Sequence, residues 1–513
     1  MLPAARRFWW PVALGVIVVA GVALRLAVLS SPLGELDADE AVTGLMARHI
    51  AFLGERPLFY WGQSYLGTLE QFSVAPFFLL FGAATFWLKL VPALYSLGFV
   101  VLSGVVARHM FGAGPALATA AYLALPPAML ALWSTKARGG YAELLALGEA
   151  LLLVTLLLAR SPSAGLALLC GTLGGLALWT HLLAVVYLVP CVAYLLLRGI
   201  RASHVLALAA GFLVGAAPLL LYNLQNDWVT SADLIRPSPL PFDPLQQVAR
   251  FFRVSVPVLL GVGVPVPPSD REFFDRAYVS ATAGPVWAAA LGCLLVLAAL
   301  AMHLPSVRAC VARRPGPAAE PTLLLGVVLL VAVALTLTSY GYFASEPRYA
   351  LPAYAAVPLL FAAVWRLPKF PRLLVVGALA VLHARSLLLA PLFLFGPDIV
   401  QADAATRAQL IQALEQQQIQ HIHTEYWIAQ PVMFESGERI LANVVHDGPN
   451  RNLRQALPVA NDPNAAWVFQ SDTEGERELL SHLAAASASP NVATVSLYHV
   501  YTGVPTQVLD AYP

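Results

Sequence analysis

The sequence predicts a polytopic α-helical membrane protein that ends in a small soluble α/β domain. Three observations carry that expectation. Of 513 residues, 59% are hydrophobic and only 12% charged, against roughly 25% charged in an ordinary soluble domain. Apolar runs alternate with short loops in which arginine collects. After Gly396 the composition turns abruptly to Gln, Asp and Glu.

The first element is read from "ARRFWWPVALGVIVVAGVALRLAVLSS", where Arg6 and Arg7 precede a long apolar run. At about 20 residues it can span a bilayer and exceeds a signal-peptide core, so it is expected to stay as an uncleaved helix. Arg25, near its far end, is expected to snorkel to the surface. With Arg6 and Arg7 taken as cytoplasmic, helices are expected near 8–29, 85–107, 114–132, 142–159, 164–180, 183–198, 203–223, 282–303, 321–339, 349–365 and 372–395, about eleven crossings. Arg108, Arg160, Arg198, Arg201, Arg308, Arg313, Arg314, Arg366, Lys369 and Arg372 then fall in inner loops, as the positive-inside rule requires. Residues 1–396 form the membrane domain, with outer loops 30–84 and 226–281, and 397–513 an extracytoplasmic domain. The stretch "FYWGQSYLGTLEQFSVAPFFLLFG" would invert every later assignment if it crossed, so it is read as interfacial or re-entrant.

In the C-terminal part, "AATRAQLIQALEQQQ" and "EGERELLSHLAAA" have helical spacing, while "IQHIHTEYWI", "AAWVFQ" and "NVATVSLYHVYTG" read as strands. His421 and His423 share one face of a strand without a third ligand and are expected to be structural. Cys170, Cys191, Cys293 and Cys310 lie in or beside apolar segments without metal-ligand spacing, which argues against a disulfide framework or zinc cluster. A net charge of +1 gives no field that would recruit nucleic acid.

Chemistry concentrates in "SSPLGELDADEAVTGLM", where Asp37, Asp39 and Glu40 stand within four positions. A carboxylate at the bilayer centre costs about 2.5–3.5 kcal/mol, so the three belong at the membrane surface. Val42, Leu45, Met46, His49 and Leu53 follow at helical spacing, describing an amphipathic helix expected to lie on the outer leaflet. Neighbouring carboxylates are expected to raise one another's pKa by like-charge repulsion, which suits a proton acceptor.

"LDADEAVTGLMARHI", "GERPLFYWGQSYLGTLE", "LLFGAATFWLKLVPAL" and "SEPRYALPAYA" resemble the first outer loop, second helix and late Arg-Tyr segment of the GT-C glycosyltransferases. The bacterial branch with protein O-mannosyltransferases and lipid A aminoarabinose transferases is the nearest in look. The resemblance implies a GT-C fold and a polyprenyl-phosphate sugar as donor. It implies a lipid, glycan or protein acceptor on the outer side of a bacterial cytoplasmic membrane, and one displacement with inversion. Matched residue by residue, the catalytic base falls on Asp39, with Glu40 beside it and Asp37 as a competing carboxylate. "AVTGL" stands where several relatives have an aromatic or histidine-containing run.

For the departing phosphate the cationic candidates are Arg348, with Tyr349, and Lys136 and Arg138 in "WSTKARGGYAE". Arginine can grip two phosphate oxygens at once. The plain alternatives are an Arg348–Glu346 ion pair and lipid contact for the other two. Glu70, Gln63 and Tyr65 are candidates for the acceptor, and Glu70 with Asp37 and Asp39 for a divalent cation, Mg or Mn. His181 reads as a satisfied interfacial histidine. Tyr340, Tyr342, Phe343 and Tyr349 read as an interfacial belt or the lining of a groove. Residues 244–260, amphipathic and followed by a proline-rich end, read as a flap or a surface connector. A membrane transporter or lipid flippase is the competing class, expected to carry ionisable residues near mid-helix. The C-terminal domain has no catalytic constellation in sequence and is expected to guide an acceptor or stabilise assembly.

Overall fold

The expected membrane segments are helical in the computed structural model, which describes residues 5–235, 243–263, 286–312, 317–394 and 404–512. In chain order come α1 (Ala5–Leu29), α2 (Ala38–Arg48), α3 (Leu69–Phe81), α4 (Thr85–Phe111), α5 (Ala113–Ala124), α6 (Ala128–Trp133), α7 (Tyr141–Arg160), α8 (Ala164–Thr180), α9 (Val185–Leu197) and α10 (Ala202–Gly215). Among the described residues four helices are long and apolar enough to cross a membrane, or up to six if each of two bent pairs is one span. Those pairs are Ala202–Gly215 with Ala217–Gln225, bent by 62°, and Pro347–Ala355 with Val357–Arg366, bent by 44°. The chain is thus a multi-pass membrane protein, and length and composition alone do not reach eleven crossings. α3 has 13 residues, short of the roughly 20 a span needs.

Two sequence features set the helix packing. Pro126 and Pro127 end α5 because neither has an N–H to return to the preceding turn. The carbonyls left over at Leu123 and Ala124 accept from the Arg25 guanidinium at 3.1 and 2.7 Å, and Arg25 also donates to Ser96 Oγ. On the far side of the break, His383 pairs with the Leu125 carbonyl and Ala128 N–H donates to Ser386 Oγ. α1 and the helix Lys369–Leu394 therefore close the gap between α5 and α6. Arg25 is 2% exposed and does not snorkel; inward carbonyls offered it more than the headgroups did. Secondly, Gly171 and Gly175 of α8 meet Gly211 and Gly215 of α10 so closely that a Cβ on any of them would come within 1.9–2.3 Å of a backbone oxygen across the interface. Small residues allow this approach, the usual basis of close helix packing in lipid.

The C-terminal unit is a five-stranded sheet in the order β2-β1-β3-β5-β4. Its strands are β1 (His421–Glu425), β2 (Leu441–His446), β3 (Ala466–Gln470), β4 (Asn491–Val495) and β5 (Tyr498–Thr502). β1 pairs in parallel with β2 and β3, and β5 is antiparallel to β3 and β4. Two readings are corrected. "YWI" opens the helix Tyr426–Glu435 rather than extending β1, and "NVATVSLYHVYTG" is a hairpin rather than one strand. The helix was hidden because it is buried almost all round and so lacks an amphipathic stripe.

That helix docks on α2. Ala38, Ala41, Val42, Leu45, Met46 and Ala47 are all buried, between α3 on one side and Tyr426–Glu435 on the other. Gly44 leaves room for the Phe434 ring, to which a Cβ would come within 2.6 Å. Phe434 in turn stacks on Phe78 of α3 at 6.0 Å. Ion pairs edge the contact: Arg407 with Glu35 at 3.2 Å, His49 with Glu438 at 2.8 Å, and Arg48 with Glu438. The helix expected on the outer leaflet is instead enclosed by protein, since its second face finds an apolar partner in the C-terminal domain. The stretch 244–259 is likewise no loose connector: Phe251, Val254 and Val258 are buried and Ser255 Oγ donates to the Ala344 carbonyl. Its proline-rich continuation, 264–285, lies outside the described residues.

Candidate active site

Asp37 is the N-cap of α2. Its Oδ1 accepts the Glu40 N–H at 2.9 Å while Glu40 Oε2 accepts the Asp37 N–H at 3.2 Å, a reciprocal capping box. Asp37 Oδ2 faces Lys136 Nζ at 3.1 Å and Arg138 at 3.5 Å. Burial alone would raise this carboxyl, but Lys136, Arg138, the Glu40 N–H and Lys89 together outweigh it and hold Asp37 well below the usual carboxylate range. Mutual elevation by like charges is therefore overturned at Asp37, because cations crowd in beside it.

Glu40 is fully enclosed, with both oxygens on Lys89 at 2.7 and 2.8 Å. Lys136 and the Ala137 N–H complete its shell at 3.0 and 2.9 Å. Lys89, 1% exposed, reaches out of α4 to make this pair. Glu70, at the start of α3, accepts the Gly140 N–H at 3.1 Å; burial and the neighbouring Glu143 push its carboxyl well above the usual range. Two buried acids thus hold both ends of the short loop 137–140. Gly139 and Gly140 turn it with φ of +77° and +73°, angles that side-chain-bearing residues resist. The tethered loop turns Lys136 and Arg138 toward the acids of α2 rather than toward lipid.

Asp39, with its side chain 22% exposed, lies one helical position beyond this closed cluster. Its Oδ2 takes Arg138 Nη2 at 2.7 Å and its Oδ1 accepts the Tyr426 hydroxyl at 2.6 Å. Arg451 Nη2 stands 3.8 Å from Oδ1 and its Nε donates to the Tyr426 oxygen at 3.3 Å. The Tyr60 hydroxyl donates to the Asp39 backbone carbonyl at 2.9 Å. The Arg451 guanidinium lies over both the Tyr60 and Tyr426 rings, at 5.7 and 5.5 Å.

Aromatic rings link this group to the second cationic candidate. Arg138 and Arg348 each lie 6.0 Å from the Trp133 ring, and Trp427 flanks Arg138 at the same distance. Arg348 pairs with Glu346 at 2.6 Å and lies over Tyr349 at 4.9 Å, and its Nη2 donates to the Tyr349 hydroxyl at 3.3 Å. Tyr141 bridges Trp133 and His181, at 4.9 Å from each. His181 Nδ1 accepts the Leu183 N–H; burial, with Arg348 nearby, lowers this imidazole to about 3 and keeps it neutral. Phe343 lies against Tyr349 at 4.0 Å and Tyr340 is exposed, whereas the Tyr342 side chain lies outside the described residues.

The structure thus gathers Asp37, Asp39, Glu40, Lys136, Arg138, Arg348 and Tyr349 in one neighbourhood. Gln63 instead lies in the turn after Tyr60, with its N–H on the Tyr60 carbonyl, and Tyr65 is exposed a little further on. His421 pairs with Asp462 and His423 with Asn443. Among the described residues no group of three or more His, Cys, Asp or Glu could hold a metal ion. The acids expected to serve a divalent cation do not fit one: Lys136 and Arg138 already neutralise Asp37 and Asp39, and Glu70 is turned to the Gly140 amide.

Sequence reasoning missed Lys89, Tyr426 and Arg451. A lone lysine inside the apolar run "TFWLKLVPAL" was the signal for the first. The other two stand in a different domain with no local mark.

No protein-family model matches this sequence, and no curated protein does. Solved structures match in fold. ArnT from Cupriavidus metallidurans bound to undecaprenyl phosphate superposes with a TM-score of 0.58 at 16% identity, over 95% of this chain and 97% of that one. The oligosaccharyltransferase AglB from Archaeoglobus fulgidus, in complex with an inhibitory peptide and a dolichol-phosphate, gives 0.53 at 12% identity over 93% and 71%. Arabinofuranosyltransferase AftD from Mycobacteria gives 0.50 at 16% identity, over 98% of this chain but 40% of that larger one. The chain shares the fold of these three structures.

Proposed function

We propose that this chain is a glycosyltransferase that moves a sugar from polyprenyl phosphate to an acceptor hydroxyl on the outer side of a bacterial cytoplasmic membrane. The observation that carries the reading is Asp39, a carboxylate held between arginines and tyrosines at the head of a buried helix. The fold of ArnT, which binds undecaprenyl phosphate, and of AglB, which binds a dolichol-phosphate, supports the donor class. The C-terminal domain stands on the same side as the acidic loop in this reading, outside the cell, after eleven crossings.

In the reaction, the acceptor hydroxyl gives its proton to Asp39 as its oxygen attacks the anomeric carbon. The bond from that carbon to the phosphate oxygen breaks on the opposite face, so the configuration inverts. The phosphate departs with the bonding pair, and Arg348 and Arg138 offer the positive field that stabilises it. Asp37 and Glu40 shape the helix head and hold the loop bearing Lys136, rather than touching the proton.

Among the described residues, Glu149 near the middle of α7 and His383 near the middle of the helix Lys369–Leu394, both buried, favour a transporter or flippase. The two readings part in proteoliposomes loaded with polyprenyl phosphate carrying a radiolabelled sugar, supplied with glycolipid and glycan extracts as acceptors. Transfer of label from the lipid with release of free polyprenyl phosphate is the expected result. Label that crosses the bilayer still attached to its lipid would establish the flippase.

A further inference from the structure

We propose that the C-terminal domain completes the catalytic centre, with Tyr426 as the residue that positions the Asp39 carboxylate and Arg451 as the residue that holds Tyr426 in place. The inference rests on Asp39 being the base, and it assigns the soluble domain a part in the reaction rather than in acceptor guidance alone.

Asp39 and Tyr426 are 387 residues apart in sequence, yet the hydroxyl donates to Oδ1 at 2.6 Å. Docking of the two units does not require this bond. Phe434 seated on Gly44, Arg407 on Glu35, and the Arg48 and His49 pairs with Glu438 already fasten them. What Tyr426 adds is orientation. Arg138 claims Oδ2 and Tyr426 claims one lone pair of Oδ1, so the plane of the carboxylate is fixed and the second Oδ1 lone pair is left for an incoming hydroxyl proton. Without the tyrosine hydroxyl, Oδ1 keeps only Arg451 at 3.8 Å, beyond hydrogen-bond distance, and the terminal torsion of an aspartate is soft.

Arg451 makes the hydroxyl's aim definite. Its guanidinium lies over the Tyr60 and Tyr426 rings and donates from Nε to the Tyr426 oxygen. Tyr60 holds the Asp39 main chain at the same time. Side chain and backbone of the base are thus gripped by one aromatic–arginine frame, half of it supplied by the distant domain. Among the described residues, the charged and titratable groups that face Asp39 are Arg138 from the loop after α6, Tyr60 from the first outer loop, and Tyr426 and Arg451 from the C-terminal domain. Asp37 and Lys136 lie beyond Arg138.

The test is kcat and donor KM of sugar transfer by full-length Tyr426→Phe, with Arg451→Gln as the second variant and Asp39→Asn in parallel. Tyr426→Phe keeps the ring and removes only the donor to the charged carboxylate. We expect kcat per folded molecule to fall about tenfold with donor KM nearly unchanged, since the base loses the bond that orients it. Arg451→Gln should lower kcat the same way, by less. A purely structural contact would reduce the amount of folded enzyme and leave kcat per folded molecule in place. Wild-type kcat in both variants, with Asp39→Asn inactive, overturns this proposal alone. Retained transfer in Asp39→Asn overturns the reading beneath it.

Discussion

The two sides of the head of α2 differ in what covers them. Toward the membrane helices, Glu40 and Asp37 meet Lys89, Lys136 and a main-chain amide, all from the first 140 residues, and Glu40 has no exposed surface. Toward the C-terminal domain, Asp39 meets Tyr426 and Arg451 and keeps about a fifth of its side chain open. Carboxylates one to three positions apart thus carry out different work. The closed side builds the helix and the loop that bears Lys136 and Arg138, and the open side is where we propose that the proton is exchanged.

The comparison breaks hardest at the buried pair. Removing one partner of an enclosed ion pair strands the other charge, typically at about 3–5 kcal/mol. Glu40→Gln or Lys89→Met should each lower folded yield and thermal midpoint in detergent, while the double variant recovers much of the loss. Additive losses would show that Glu40 and Lys89 do not act as a unit. On the other side of α2, Gly44→Ala forces a methyl against the Phe434 ring, an overpacking worth about 1–3 kcal/mol. The expected sign is faster proteolytic release of the C-terminal domain together with weaker transfer. A variant cleaved no faster than wild type would mean that the domains are not joined through this contact.

Asp37→Asn should cost less, about 1 kcal/mol for the weakened cap. Its pH signature has a definite sign. The folded carboxyl lies below its ordinary value of about 3.9, so its stabilisation is present above that value and is lost as pH falls through the lower, folded one. The variant should therefore be closest to wild type in strong acid and furthest from it near neutrality. A gap that stays constant across denaturation curves from pH 7 to pH 2 would contradict the ion-paired state. EDTA, finally, should leave the transfer rate unchanged, since the acids are already matched by Lys136 and Arg138. A loss restored by Mg or Mn would show that these cations give way to a metal.

Much of this was legible in the chain. The apolar runs became helices, and the acidic loop, "STKARGG" and "SEPRY" converge in space, because residues beside apolar segments are confined to a narrow layer and have few places to go. Periodicity failed where a helix is covered on more than one side. The sequence of α2 describes a surface helix because it cannot reveal that Phe434 covers its second face. The sequence around Arg25 suggests snorkelling because the carbonyls it serves are freed by prolines a hundred residues later. Tyr426 was hidden for a similar reason: the alternation of "HIHTE" ran on into "YWI" and suggested a longer strand. Long-range partners of a polar group leave no periodic trace, and the candidate site is where such partners accumulate.

The most direct measurement compares Asp39→Asn with Asp37→Asn in one reconstituted preparation, by the initial rate of sugar transfer from polyprenyl phosphate. A general base contributes about 10²–10⁴ in rate, so Asp39→Asn should fall by that factor while Asp37→Asn stays within about tenfold of wild type. Equal losses in the two, or a larger loss at Asp37, would contradict the assignment of the proton to the open side of α2.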